Sequence, residues 1–395
     1  MRTYQLILMV LAIAVGGCAR QGSGDSAIPL GIDGVASRAQ RETTTFQTLF
    51  VFDGRHGANP TAELAVSDGV LYGTTSSGGK HDRGTVFRLT VGGKEKVLHD
   101  FNQGEAVPDA PVLALGGVLY GTTTQTGSDP GGGAYAVEPD GKYLWSRTFK
   151  GRHNGYNPKG GLTNYKDALY GTMSEGGSAD GGAFYRVTTR GKEHELYAFK
   201  GSPDGSKPQG GLLFVDGMFY GTTAAGGEYS GRSAGTVFRI TASGREKVLY
   251  SFEGYSPGGD TPVAGLVEMG GTLYGTTEAG GANYEGVVFS ITTSGEESAI
   301  YDFGAQSGDG QRPMAPLIAY NGNLYGTTFA GGAYGFGTVF EVTPSGTERV
   351  LHSFSGGTGG AYPLAGLVAF DGVLYGTTSG GYASRTDGTV FALSP

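Results

Sequence analysis

Residues 212–223 read Leu212-Leu-Phe-Val-Asp-Gly-Met-Phe-Tyr-Gly-Thr-Thr223, and residues 235–252 continue Gly235-Thr-Val-Phe-Arg-Ile-Thr-Ala-Ser-Gly-Arg-Glu-Lys-Val-Leu-Tyr-Ser-Phe252. Leu212 to Val215 is a short apolar run, strand A. Asp216-Gly217 is a two-residue hairpin turn, whose central positions both favour positive φ. Met218 to Thr223 is strand B. A loop carrying Gly226-Gly227 leads into Gly235 to Thr241, strand C, rich in β-branched and aromatic residues. Ser243-Gly244 turns the chain again into Glu246 to Phe252, strand D. Four strands joined this way form an antiparallel meander with apolar residues on both faces.

The unit recurs. Tyr-Gly followed by threonine stands at Tyr72, Tyr120, Tyr170, Tyr220, Tyr274, Tyr325 and Tyr375, close to every 50 residues. Sheets of this kind bury their second face by stacking on one another. Strands A to C occur seven times, the last ending at Leu393, whereas strand D follows six of them, at Lys94–Phe101, Lys142–Phe149, Lys192–Phe199, Arg245–Phe252, Glu297–Phe303 and Thr347–Phe354. The missing copy lies upstream: Thr44 to Phe52 contains Thr48-Leu-Phe-Val-Phe-Asp-Gly54, the pattern of Val248-Leu-Tyr-Ser-Phe-Glu-Gly254. The sequence therefore predicts an all-β, seven-bladed β-propeller over residues 44–395. Its blades are four-stranded and antiparallel, and the N-terminal strand D closes the ring against the C-terminal strands A–C.

Composition agrees. The 395 residues include 76 Gly, 23 Tyr and 20 Phe, with only 16% charged. Disorder calls for few aromatics and high charge, and collagen for glycine at every third position. The net charge is −8 and no basic run occurs. That excludes nucleic-acid phosphates, and an anionic membrane surface, as electrostatic partners.

Residues 1–18 comprise a short positive segment, the apolar run Leu6 to Val15, and Gly16-Gly17-Cys18. They resemble a bacterial lipoprotein signal with Val15-Gly16-Gly17-Cys18 as lipobox and Cys18, the sole cysteine, as the acylated residue. An ordinary signal peptide is the alternative. Residues 19–43 are polar and without period, a flexible tether. The expected location is the cell envelope, with the lipid anchor as the only membrane attachment. In a diderm host this is the outer membrane or the periplasmic side, and Ala19 favours the outer membrane.

The repeat motifs are Gly-Thr-Val-Phe (at Gly84, Gly235, Gly337 and Gly388), Ser-Gly-x-Glu, Val-Leu-Tyr-Ser-Phe, Pro-x-Ala-Gly-Leu and Leu-Tyr-Gly-Thr-Thr. Together they resemble the choice-of-anchor tandem-repeat GloVer-containing proteins of bacteria. That resemblance implies envelope attachment and no established activity.

Seven Tyr-Gly-Thr sites suggest packing between blades, since a role repeated in every unit is architectural. The Gly-Gly pairs lack the helix and lysine of a phosphate loop. Asp53, Asp204, Asp260 and Asp309 recur in the D–A loops, one acid each, which fits turn chemistry better than calcium. His99 and His352 replace strand-D tyrosines and are expected to pack. Two D–A loops carry Arg55-His56 and Arg152-His153, which could engage a carboxylate or polarise a substrate. No cofactor motif is present. The A–B and C–D turns are minimal, so any ligand is expected on the opposite, B–C/D–A face near the channel mouth, with Arg55, His56, Arg152 and His153 as contacts. The reading is a non-catalytic binding, adhesion or scaffold module recognising a glycan or an envelope protein. The alternative is a lyase or glycoside-acting hydrolase in the central funnel, which two converging carboxylates would favour.

Overall fold

The hairpin turns set the meander. Asp216 and Gly217 have φ of 49° and 80°, and Asp68-Gly69, Asn321-Gly322 and Asp371-Gly372 repeat this left-handed pair, which matches the twist of the flanking strands. In the fourth blade strands A to D are Leu213–Val215, Met218–Thr223, Thr236–Ile240 and Glu246–Ser251, paired antiparallel in that order. The structure, a computed structural model, describes residues 44–125, 131–149, 155–229, 234–254, 258–380 and 386–395. Across these residues the meander recurs as seven four-stranded sheets. In the seventh, Thr45–Val51 pairs with Thr389–Ser394, from Thr45 opposite Ser394 to Val51 opposite Thr389. The upstream segment is thus strand D of the last blade.

Short A strands sit innermost. Ala65–Ser67 neighbours Leu113–Leu115 on one side and Val368–Phe370 on the other, so the first and last blades meet around the centre. Strands D form the outer rim.

The Tyr-Gly-Thr-Thr repeat supplies the packing. All seven tyrosines are buried. The glycine lies opposite the aromatic of strand C: a Cβ on Gly221 would stand 2.7 Å from Phe238 Cζ, and one on Gly73 2.6 Å from Phe87 Cζ. The phenylalanine ending each strand D meets that same aromatic in the following blade edge-on, as in Phe199–Phe238 at 5.0 Å and, across the closure, Phe354–Phe391 at 5.2 Å and Phe52–Phe87 at 5.2 Å. Such pairs contribute about 0.5–1.5 kcal/mol beyond area burial.

The first threonine of each repeat latches one blade to the next. Thr74, Thr122, Thr172, Thr222, Thr276, Thr327 and Thr377 donate their hydroxyls to the carbonyls of Ala110, Pro158, Gly210, Ala264, Ala315, Ala365 and Ala62, respectively, at 2.7–3.4 Å. The last of these, from Thr377 to Ala62, runs from the seventh blade to the first. In blades one, four, six and seven a second threonine is buried against one at the start of strand C, for example Thr223 with Thr236 at 2.8 Å.

The described parts of the loop-bearing face are also paired with one another. Among the described residues the D–A loops entering blades one to six zip onto the B–C loops of those blades, by bridges such as Ala58 to Ser77 and Asp260 to Ala279, or by two-residue ladders such as Gly205–Ser206 with Ala225–Gly226.

Candidate functional site at the mouth of the central channel

Every D–A loop ends in the same way: a proline, one further residue, then alanine or glycine. The prolines are Pro60, Pro108, Pro158, Pro208, Pro262, Pro313 and Pro363. Each presses on the glycine that opens strand C of the preceding blade; a Cβ on Gly84 would lie 2.6 Å from Pro108 Cδ, and one on Gly388 2.4 Å from Pro60 Cδ. Proline's fixed φ and the latched carbonyl hold the backbone, so the residue between them is set against the channel wall. These residues are Thr61, Asp109, Lys159, Gln209, Val263, Met314 and Leu364, and all line one cavity of about 310 Å³. Because they immediately precede strand A, the cavity opens on the B–C/D–A face.

The ring of seven is divided. Blades one to four contribute Thr61, Asp109, Lys159 and Gln209; blades five to seven contribute Val263, Met314 and Leu364. Two residues beyond each Thr61-type position the wall carries Glu63, Pro111, Gly161, Gly211, Gly265, Pro316 and Gly366, a single carboxyl among residues with no polar side chain.

The two carboxyls differ in support. Asp109 Oδ1 accepts a hydrogen bond from Thr61 Oγ1 at 2.9 Å. Burial raises its pKa, and the Thr61 bond and the charge of Lys159 oppose that rise. Glu63 makes no hydrogen bond or ion pair among the described residues. Enclosure by the channel wall alone pushes it up to about 7. Its side chain still meets the solvent inside the channel, so it is half-buried by exposure yet strongly desolvated by its surroundings.

A second cavity, of about 400 Å³, shares Lys159 and Gln209 with the first and extends over blades three and four. Its lining is polar, including Asn157, Glu175, Asp180 and Lys207, with Asn157 Nδ2 donating to Glu175 Oε1 at 3.0 Å. On the same face the B–C loops of blades four, five and six present Tyr229, Tyr284 and Tyr334, exposed by 44%, 70% and 63%. Among the described residues no three His, Cys, Asp or Glu side chains are grouped to hold a metal ion.

Of the residues singled out from sequence, Arg55 and His56 are exposed and line neither of these two cavities. They follow strand D on the outer part of the loop face. His56 donates its backbone N–H to Asp53 Oδ1 at 3.0 Å and sets its ring Nδ1 2.9 Å from the same oxygen. These bonds hold the Asp53 carboxyl below its ordinary value. Arg152, His153 and Cys18 lie outside the described residues. The sequence that carries Arg152 and His153 continues to Lys159, which does line the channel.

The D–A aspartates do turn chemistry. Asp204 accepts Tyr197 Oη at 2.8 Å and the Lys200 N–H at 3.0 Å, and Asp309 likewise accepts Tyr301 Oη and the Ala305 N–H. His99 stacks on Tyr143 and His352 on Phe46, as packed residues. Sequence reasoning missed the Thr61-type ring and Glu63. The available signal was the one position of the Pro-x-Ala motif that differs in every copy.

A closed ring of seven four-stranded meanders with an open axial mouth defines a β-propeller. Solved propellers align over most of the chain at low identity. A candidate 6-phosphogluconolactonase from Bacteroides uniformis is 14% identical, with TM-score 0.50 over 73% of this chain and 83% of its own. A europium-containing methanol dehydrogenase is 10% identical, with TM-score 0.51 over 89% and 93%. At such identity the likeness concerns the fold alone. No curated protein matches the sequence. The Gloeobacter/Verrucomicrobia repeat matches residues 23–232 and 212–395, and the chain belongs to that family.

Proposed function

We propose that this protein is an envelope-anchored, non-catalytic receptor that takes the end of a glycan chain into its channel mouth. The split lining carries the reading. Thr61, Asp109, Lys159 and Gln209 offer donors and acceptors along one arc, and Val263, Met314 and Leu364 offer an apolar surface along the other. A saccharide ring has the matching character, with hydroxyls around its edge and C–H groups across its faces. A cavity of about 310 Å³ is at the small end of ligand pockets. The polar cavity joined to it at Lys159 and Gln209 has room for the sugars that follow. Exposed tyrosines on three loops of the same face suit such contacts, being rigid, broad and amphipathic.

Export and lipidation at Cys18 complete the proposal. Strand Thr45–Val51 runs from the short-turn face toward the loop face. The anchor of this reading is a lipid at Cys18, the one cysteine of the sequence. Mass spectrometry of the mature N-terminus tests this; an unmodified Cys18 overturns the anchor. A glycan and envelope-component binding screen on the full chain tests the ligand. Met314→Trp, which fills the channel, is expected to abolish binding without lowering Tm. Binding that survives it, or maps to the short-turn face, overturns the assignment.

One observation favours a second reading, a glycoside-acting hydrolase or lyase. Glu63 and Asp109 line the same cavity, and Glu63 is held near pH 7, where a general acid works best. Shortening of oligosaccharides by the purified chain, lost in Glu63→Gln, would decide for it.

A further inference from the structure

We infer that the sugar held at the channel mouth carries a free primary amine, bound as an ammonium group against Glu63. This rests on the glycan reading above and names the class of sugar.

The argument is an accounting of charge on the wall. Asp109 is already served by the hydroxyl of Thr61 and by the nearby cation of Lys159. Lys159 is itself exposed and reaches the outer polar cavity as well. Glu63 has neither kind of partner. The other six blades place Pro111, Gly161, Gly211, Gly265, Pro316 and Gly366 at its level, and none of these has a side-chain donor. Among the described residues no cation biases its ionisation; burial is the cause of its shift. An enclosed carboxylate without a counter-charge is costly, and a cation that enters with its own hydrogens relieves that cost in a way a neutral hydroxyl cannot. A ligand amine supplies such a cation.

The rest of the lining narrows the chemistry. Val263, Met314 and Leu364 face the polar arc and accept no second charge. An acidic sugar would bring like charge to Glu63 and Asp109. An N-acetylated sugar would replace the ammonium with a neutral amide and leave Glu63 unpaired. A hexosamine with its amino group free has one cationic edge and one apolar face, which is the complement of this wall.

The test compares a glucosamine oligosaccharide with its N-acetylated counterpart of equal length, by calorimetric titration at neutral pH against the full chain and against Glu63→Gln. That substitution keeps the side-chain shape and abolishes the charge, and no partner within the fold is lost. The free-amine form is expected to bind at least about tenfold more tightly, the increment of one charge-assisted hydrogen bond. The ratio of the two affinities should fall toward one in Glu63→Gln. Equal affinities in the parent chain overturn the inference and leave the glycan reading standing. So does an amine preference that persists in Glu63→Gln, since the amine would then be read elsewhere. Binding of neither form, whether or not an amine-bearing peptide binds instead, overturns the glycan reading itself.

Discussion

Two adjacent positions at the end of each D–A loop behave in opposite ways. After the residue that follows the proline comes Ala62, Ala110, Gly160, Gly210, Ala264, Ala315 or Ala365, always small, and in six of the seven blades its carbonyl receives the threonine latch. In the third blade the latch shifts to the carbonyl of Pro158. The residue just before it is Thr61, Asp109, Lys159, Gln209, Val263, Met314 or Leu364, and no two are alike. The seven copies act as controls for one another. Where they agree, the ring needs the residue; where they differ, backbone geometry is already secured and the side chain is free for recognition. The same fixed frame thus displays a polar arc and an apolar arc without any change of fold.

The sharpest way to break this division is to remove the closure. Deleting residues 44–52 strips the partner from Thr389–Ser394 and takes away Phe52, which packs on Phe87. An open ring with an exposed edge should lose its cooperative melt and aggregate, as read by calorimetry and size-exclusion chromatography. Next in size is Gly221→Ala, whose Cβ meets Phe238; a loss of about 1–3 kcal/mol is expected from urea unfolding. Thr222→Val removes the 2.7 Å latch to Ala264 and should cost about 1 kcal/mol with ligand affinity retained. Gln209→Ala should do the reverse, changing stability by less than about 0.5 kcal/mol while weakening binding.

A more gradual effect is a pH dependence at the rim, where strand D opens with a glutamate in several blades. Burial, first of all, pushes Glu95, Glu246 and Glu348 up to about 7, and Asp204 and Asp309 add repulsion to the latter two. The folded state therefore holds protons that an unfolded chain, with glutamates near 4.5, releases. Stability should fall as pH rises from 4.5 to 7, seen as a graded decrease in Tm. A Tm that rises across this window would show these carboxyls to be ionised in the fold.

Most of the fold was legible because its signals are local. Asp216-Gly217 dictates a hairpin whatever surrounds it, and the count of strand-D copies required an upstream donor. The latch was not legible. Thr222 and Ala264 are joined only by the stacking of two blades, and a threonine in a strand has many possible partners. The site was hidden for a related reason. Arg55 and His56 stand out because charged loop residues resemble chemistry, yet a loop that bonds its own Asp53 spends that chemistry on its turn. Glu63 stands beside an unremarkable Pro-Thr-Ala, and its isolation emerges only once six other blades bring glycine and proline to its level.

The seam between Thr45–Val51 and Thr389–Ser394 also sets a schedule. Six blades are built from contiguous stretches of about 50 residues and can form as each stretch becomes available. The seventh has its outer strand made before all the others and its remaining strands made after them. At about 5–20 residues per second, that strand waits on the order of 20–70 seconds for its partner. Throughout that interval Phe46 lacks the rings of Phe354 and Phe391 on which it packs, while Phe52 can already meet Phe87 of the first blade. Whatever handles the nascent chain must therefore shield its earliest strand the longest, and the ring is completed in a single late step, when the last residues arrive.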